Sequence, residues 1–200
     1  VCDGQDNDCD GAIEAIGVPA VFDGTTVPGD DLTWQYSPVT AGGGGDGELM
    51  FDWVLRAYEN DSAQPVPAFF MFGPFLDPDL VSQFAARIAR LDNVESVTFD
   101  THPEALISDA AGVVAMGGYN TVCEILSFDR PALIVPRTKP RLEQFLRASR
   151  MQEMGLVKML VPEEAAVGES SLPDWKVMAT ALRHLPQQRV PSKVVVPGLL

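Results

Sequence analysis

The feature that most constrains this chain is an alternation of short, unbroken apolar runs with segments that carry an apolar stripe at helical spacing. Residues 66–72 (VPAFFMF), 112–116 (GVVAM) and 132–135 (ALIV) contain no charged or strongly polar side chain, and each ends at glycine or proline. Runs of that kind read as strands covered on both faces. Around them, Met50, Trp53, Val54, Ala57 and Tyr58 recur at i, i+3, i+4, i+7 and i+8, the signature of a helix with one apolar face. Leu80, Phe84, Ile88 and Leu91 repeat the pattern after Asp77-Pro78, an N-cap followed by proline at the first helical position. The same reading predicts strands at 36–41, 94–99 and 157–161. It predicts helices at 102–110, 121–128, 141–154 (closed by Gly155) and 175–185. Strands and helices alternating at this spacing mean βαβ crossovers and a parallel sheet. The expected class is therefore α/β, a Rossmann-like three-layer α/β/α sandwich of six parallel strands. Pro38 sits awkwardly in the first strand, because proline removes a ladder donor from what should be a central strand. It predicts that this edge is poorly formed or displaced.

A hydrophobic fraction of 46% over 200 residues supports a real core and excludes a disordered or collagen-like chain. The formal charge of −14 argues against a nucleic-acid partner gripped through its phosphates. Residues 1–60 hold twelve acids and a single base, Arg56, while residues 61–200 are nearly balanced, with sixteen acids and thirteen bases. This predicts an acidic, partly irregular segment at 1–35, a globular domain at 36–188 and an extended tail at 189–200. No apolar run approaches the ~18–20 residues needed to cross a bilayer, so no transmembrane segment is expected. The start, VCDGQDNDCD, has neither the basic nor the apolar region of a signal peptide, and with Val1 in first place the chain reads as a fragment or processed product. Three cysteines are too few for a disulfide scaffold. Cys2 and Cys9 are candidates to pair, and Cys123 is expected to be a buried thiol.

Ligands of a parallel sheet bind outside the carboxyl ends of its strands, which directs attention to the loops 41–48, 73–77, 99–103, 116–121 and 136–141. The first holds Gly42, Gly43, Gly44 and Gly45, then Asp46. Glycine-rich backbone before a helix offers unpaired N–H donors to an anion, or else forms a plain flexible turn. It is neither a Walker loop nor the spaced dinucleotide fingerprint. The fourth holds Gly117-Gly118-Tyr119-Asn120-Thr121, with Glu124 one turn into the following helix. That carboxylate either accepts two sugar hydroxyls or serves as a capping acid. The last belongs to a locally basic stretch: Arg130 to Arg150 includes six bases and one acid. Arg137, at a strand's carboxyl end, suits a diphosphate, whereas Arg147 and Arg150 fit a solvated helix face.

Taken together these segments resemble the C-terminal, donor-binding half of GT-B glycosyltransferases, over residues 39–185. They are similar to the enzyme that adds N-acetylglucosamine to the lipid-linked cell-wall precursor and to a group of predicted bacterial glycosyltransferases. The specific part is ISDAAGVVAMGGYNTVCEILSFDRPALIVPRTKPRLEQFLRA: strand, small-residue and glycine turn, Thr-Val-x-Glu helix, apolar strand ending in proline, and a Gln-bearing helix. The resemblance implies a nucleoside-diphosphate sugar donor, with UDP-sugar the leading expectation, and no cofactor for transfer. It implies that Gly117 and Gly118 lie near the diphosphate, and Tyr119, Asn120 and Thr121 near phosphate and hexose. Glu124 would hold the ribose hydroxyls, Phe99 and Thr101 would border the base, and Glu143 and Gln144 would contact the hexose. Glu143 stands where the family often has glutamine, and Lys139 where the cell-wall enzyme commonly has histidine. Both departures cloud the identity of the sugar.

GT-B enzymes bind the acceptor in an N-terminal half, and about 35 residues cannot supply one. Transfer is expected to need an acceptor-binding half, either from further chain or from a partner subunit, as in the two-subunit N-acetylglucosaminyltransferase of eukaryotic lipid-linked oligosaccharide assembly. An apolar seam where that half docks predicts association with a partner or homo-oligomers. Inverting transfer needs a base, and neither His102 nor His184 is assigned to it, so the catalytic residue stays unknown. At the N-terminus, Asp6, Asp8 and Asp10 resemble positions 1, 3 and 5 of a calcium loop in CDGxDNDCDG repeats, with Gly11 at the turn. Gly17 stands at the position of the bidentate ligand, so any calcium binding is expected to be weak, and a solvated acidic tail is the plainer reading. The donor-binding half predicts a cytoplasmic location, and a genuine calcium motif would predict an extracytoplasmic one. A nucleotide-sugar 2-epimerase of the same fold, or a calcium-responsive binding module without turnover, are the alternative functions.

Overall fold

The computed structural model describes residues 36–98, 103–166 and 172–194. Within them, six strands form one sheet in the order β3-β2-β1-β4-β5-β6, with every pairing parallel. The chain runs through β1 (Ser37–Thr40), α1 (Glu48–Asn60), β2 (Ala68–Phe72), α2 (Pro78–Ile88), β3 (Val94–Thr98) and α3 (Pro103–Ser108). It continues through β4 (Val113–Ala115), α4 (Tyr119–Ser127), β5 (Ala132–Ile134), α5 (Glu143–Glu153), β6 (Lys158–Met159) and α6 (Trp175–His184). No helix among the described residues is long and apolar enough to cross a membrane.

Alternate strand residues sort into two cores, one on each side of the sheet. Val39, Phe70, Phe72, Val114, Met116, Leu133 and Val135 pack under α1, α2 and α6. Their neighbours Val113, Ala115, Ala132 and Ile134 pack under α3, α4 and α5. All five residues of β2 are buried, as a strand covered on both faces requires. Helix α1 buries Met50, Phe51, Trp53, Val54, Leu55, Ala57 and Tyr58, more than a single stripe, because α6 flanks it as well as the sheet. The polar ends of its aromatics are satisfied: Trp53 Nε1 donates to Asp174 O (2.8 Å) and the Tyr58 hydroxyl donates to Val66 O (2.7 Å). Asp77 caps α2 through the N–H of Asp79, with Pro78 in the first turn, as the sequence predicts.

Three expectations need correction. Strand β1 is central, as expected, but it is not displaced or poorly formed: it pairs on both sides. Ser37 donates its N–H across to Pro67 on the β2 side. Successive residues of a parallel ladder address opposite neighbours, so the donor missing at Pro38 faces β4, whose pairing with β1 begins only at Val39–Val114. Cys123 is exposed rather than buried: α4 turns Val122 and Ile125 inward, which points position 123 away. The described part of the tail, 189–194, is not simply extended. Pro191–Lys193 forms a 3-10 turn whose Ser192 donates from its N–H (2.7 Å) and hydroxyl (2.6 Å) to the carboxylate of Asp129. Those two hydrogen bonds hold Asp129 below the usual carboxylate range.

Candidate functional site

In this strand order the chain moves from β1 outward to β3, then returns to β4 on the other side of β1. The loops after β1 and β4 therefore diverge and leave a crevice, the place where open α/β sheets take ligands. A cleft of about 270 Å³ occupies it. One wall comes from the loops after β1 and β2. Gly42 is left-handed (φ +70°), and its N–H donates to Thr40 Oγ1 (3.0 Å), which folds the loop back over the strand end. Gly73 lies so close beneath it that a Cβ there would stand 2.2 Å from Gly42 O. Gly43, Met71, Phe72 and Pro74 complete that wall.

The opposite wall is the start of α4. Gly117 is left-handed (φ +82°), and a Cβ on it would press on Ile134 at 2.9 Å, so only glycine turns the chain from β4 into the helix here. Gly118 is the N-cap, no side chain caps α4, and the first helical hydrogen bond is donated by Val122 to Gly118 O (3.0 Å). The N–H groups of the first turn are therefore not used by the helix, and an anion is favoured at that end. Asn120, Thr121 and Glu124 face the cleft together with Ile107 of α3. Helix α4 begins two residues earlier than the sequence periodicity predicts, which puts Tyr119 and Asn120 in its first turn.

The loop after β5 lies across a second depression of about 190 Å³, bordered by Asp46, Leu49, Val135, Lys139 and Glu163. Arg137, expected to stand ready for a diphosphate, is ion-paired with Asp46. Thr138 donates its hydroxyl to Glu163 (2.8 Å). At the start of α5, Glu143 pairs with Arg147 one turn on (2.5 Å), and Gln144 Oε1 accepts from Arg137 N at a long 3.4 Å. Arg147 is not the solvated residue its helical position suggests. Its side chain is 22% exposed, its guanidinium donates to Gly117 O (2.8 Å) and it covers the Tyr119 ring at 5.7 Å. Arg150, 71% exposed and paired with Glu153, does match the solvated reading.

The structure thus divides the expected site. Gly43, Asn120, Thr121 and Glu124 meet in the cleft, and Gly117 and Gly118 form the turn that feeds it. Asp46 and Arg137 belong to the second depression, and Glu143 and Gln144 lie beside it on α5. Gly45 packs on the Phe75 carbonyl instead of facing the cleft, and Gly44 abuts the Asp46 carboxylate. Tyr119 presents its ring outward. Phe99, Thr101, His102 and the calcium candidates Asp6, Asp8 and Asp10 lie outside the described residues. Gly42, part of the glycine-rich loop the sequence points to, also lines the cleft, whereas Thr40, Met71 and Gly73 are cleft residues that sequence reasoning did not single out; the Gly73-Pro74 stop after a buried run is the signal that marks the last. Around the carboxyl edge, Phe75, Leu142 and Leu146 stand exposed, Phe75 at 77%.

Residues 70–172 match the glycosyltransferase family 28 C-terminal domain. The chain belongs to that family. It is 34% identical over 119 residues to an uncharacterized glycosyltransferase of Methanosarcina acetivorans, an alignment spanning 60% of this chain and 29% of that protein. Acinetobacter baumannii MurG shares the fold with a TM-score of 0.58 at 17% identity, over 77% of this chain and 42% of MurG. Phytolacca americana UGT2, solved with UDP-2-fluoroglucose and pterostilbene, does so with a TM-score of 0.54 at 15% identity, over 80% of this chain and 34% of that one. The domain is accordingly the C-terminal half of a GT-B glycosyltransferase fold, and the chain spans less than half the length of each of these proteins.

Proposed function

We propose that this chain is the UDP-sugar-binding half of an inverting glycosyltransferase that delivers a hexose to an acceptor held by an N-terminal half, supplied by further chain or by a partner subunit. The observation that carries the reading is the grouping of Asn120, Thr121 and Glu124 around one cleft at the open end of α4. A diphosphate placed there meets unpaired backbone donors and the positive end of the helix, the groups that stabilise a departing nucleoside diphosphate as negative charge accumulates on it. Glu124, one turn deeper, suits a pair of vicinal hydroxyls, which supports a ribose. The UDP-sugar bound to the plant relative is in keeping with that assignment. The exposed rim of Phe75, Leu142 and Leu146 is the surface on which an acceptor half would close. The chain by itself binds donor without transferring it, and it works in the cytoplasm.

The test is a calorimetric titration with UDP, GDP, dTDP and their sugars, with and without calcium. Saturable binding of UDP and a UDP-sugar is expected, and it should weaken by roughly 10–100-fold in Glu124→Ala, the scale of a lost hydrogen bond to a charged group. Silence from every nucleotide would defeat the proposal. A response to calcium alone would move attention to Asp6, Asp8 and Asp10.

A further inference from the structure

Arg147 makes three contacts, two of which reach beyond its own helix. It donates to Gly117 O (2.8 Å), pairs with Glu143 (2.5 Å) and covers the Tyr119 ring (5.7 Å). The first and third partners flank Gly118, the N-cap of α4. Gly117 itself cannot be fixed by side-chain packing of its own, since it has none and is left-handed. A planar trans peptide sets the Gly117 carbonyl and the Gly118 N–H in opposite directions. Whatever holds that carbonyl therefore also fixes where the Gly118 N–H points.

We propose that Arg147 is the positioning residue of this site: by clamping Gly117 O and Tyr119 it fixes the turn that aims the open end of α4 at the diphosphate. The role is geometric. The planar guanidinium has donors on several edges and a flat face, so it can bond a carbonyl, bond a carboxylate and stack on a ring at once. A lysine keeps the charge but not that combination. Glu143 takes a different place in this scheme from hexose contact, since its carboxylate orients Arg147 across one helical turn.

This inference rests on the donor-binding reading, so its test includes a readout that needs no ligand. Amide hydrogen exchange at residues 117–121 should accelerate in both Arg147→Ala and Arg147→Lys. UDP affinity should fall roughly tenfold in both, while the weak affinity for uridine, which lacks the phosphates, stays the same in NMR titration. Arg150→Ala, on the same helix, should leave exchange and affinity unchanged. Wild-type affinity in Arg147→Lys would overturn the proposal, because charge alone would then suffice. Unchanged exchange at 117–121 in Arg147→Ala would overturn it as well, and so would loss of the fold in both variants, which would assign Arg147 to stability. If the wild type binds no nucleotide, the donor reading falls and the exchange data alone decide whether Arg147 positions the turn.

Discussion

The two faces of the sheet are built from different materials. Under α1, α2 and α6 lie Phe51, Trp53, Tyr58, Phe70, Phe72 and Phe84, with Phe51 in edge contact with Phe72 at 5.2 Å and with Phe84 at 6.0 Å. Under α3, α4 and α5 the core cluster is aliphatic or methionine, Ala110, Ala115, Ala132 and Ala148 among them, with Phe128 at its margin and Phe69 and Tyr36, in edge contact at 6.0 Å, towards the β2 side. Large rings contribute the most buried area per residue, so the first face anchors the fold. Small side chains on the second permit α4 to settle against β4 and β5 and to bring its unused N–H groups to the strand ends. Stability and ligand binding are thus assigned largely to opposite layers, joined by the loops that cross the carboxyl edge.

The largest test of that division is Phe51→Ala. Removing a fully buried ring from the aromatic face should cost about 3–5 kcal/mol in urea unfolding, a large share of the ~5–15 kcal/mol typical of a domain. The protein that remains folded should bind UDP with wild-type affinity. A matching loss of affinity would mean the layers are coupled and the division is wrong. Gly73→Ala attacks the junction instead. Its new Cβ meets the Gly42 carbonyl, a backbone atom that must move, so the loops after β1 and β2 separate. Stability should drop by about 1–3 kcal/mol, and here nucleotide affinity should fall with it, because both loops line the cleft. A stability loss with binding intact would show that Gly42 does not shape the ligand wall.

These assignments were not equally legible in the chain. The strands were, since 66–72, 112–116 and 132–135 carry apolar side chains on both faces and a two-sided burial leaves few other choices. Glu124 was legible too: its distance from the Gly117-Gly118 turn places it one helical turn above a strand end, where ligands bind. Arg147 was not, because its decisive partner, Gly117 O, is 30 residues away and arrives only through the packing of α5 beside α4. The Asp46–Arg137 pair spans 91 residues and is hidden for the same reason. Pro38 misled because a sequence does not reveal at which residue a neighbouring strand starts to pair. Cys123 could have been placed correctly from helical phase, as Val122 and Ile125 define the inward side of α4.

The smallest expected effect sharpens the same comparison on the thinner face. Val94 of β3 points into the aromatic core, so its neighbour Glu95, level with Phe69 of β2, turns to the opposite side. Partial burial there raises its carboxyl above the ordinary glutamate value. An acid with a raised folded-state pKa binds more protons folded than unfolded across the interval between the two values. It therefore lowers stability as pH rises through that interval, and its cost is full at neutral pH and absent below the unfolded value. Glu95→Gln should accordingly raise Tm slightly at pH 7, within the ~0.5 kcal/mol usual for surface substitutions, and the gain should vanish in acid near pH 4. A gain that persists unchanged at low pH would assign the effect to packing. A loss at pH 7 would mean that the charge is favourable where it lies, and that the second face is less apolar than its core residues imply.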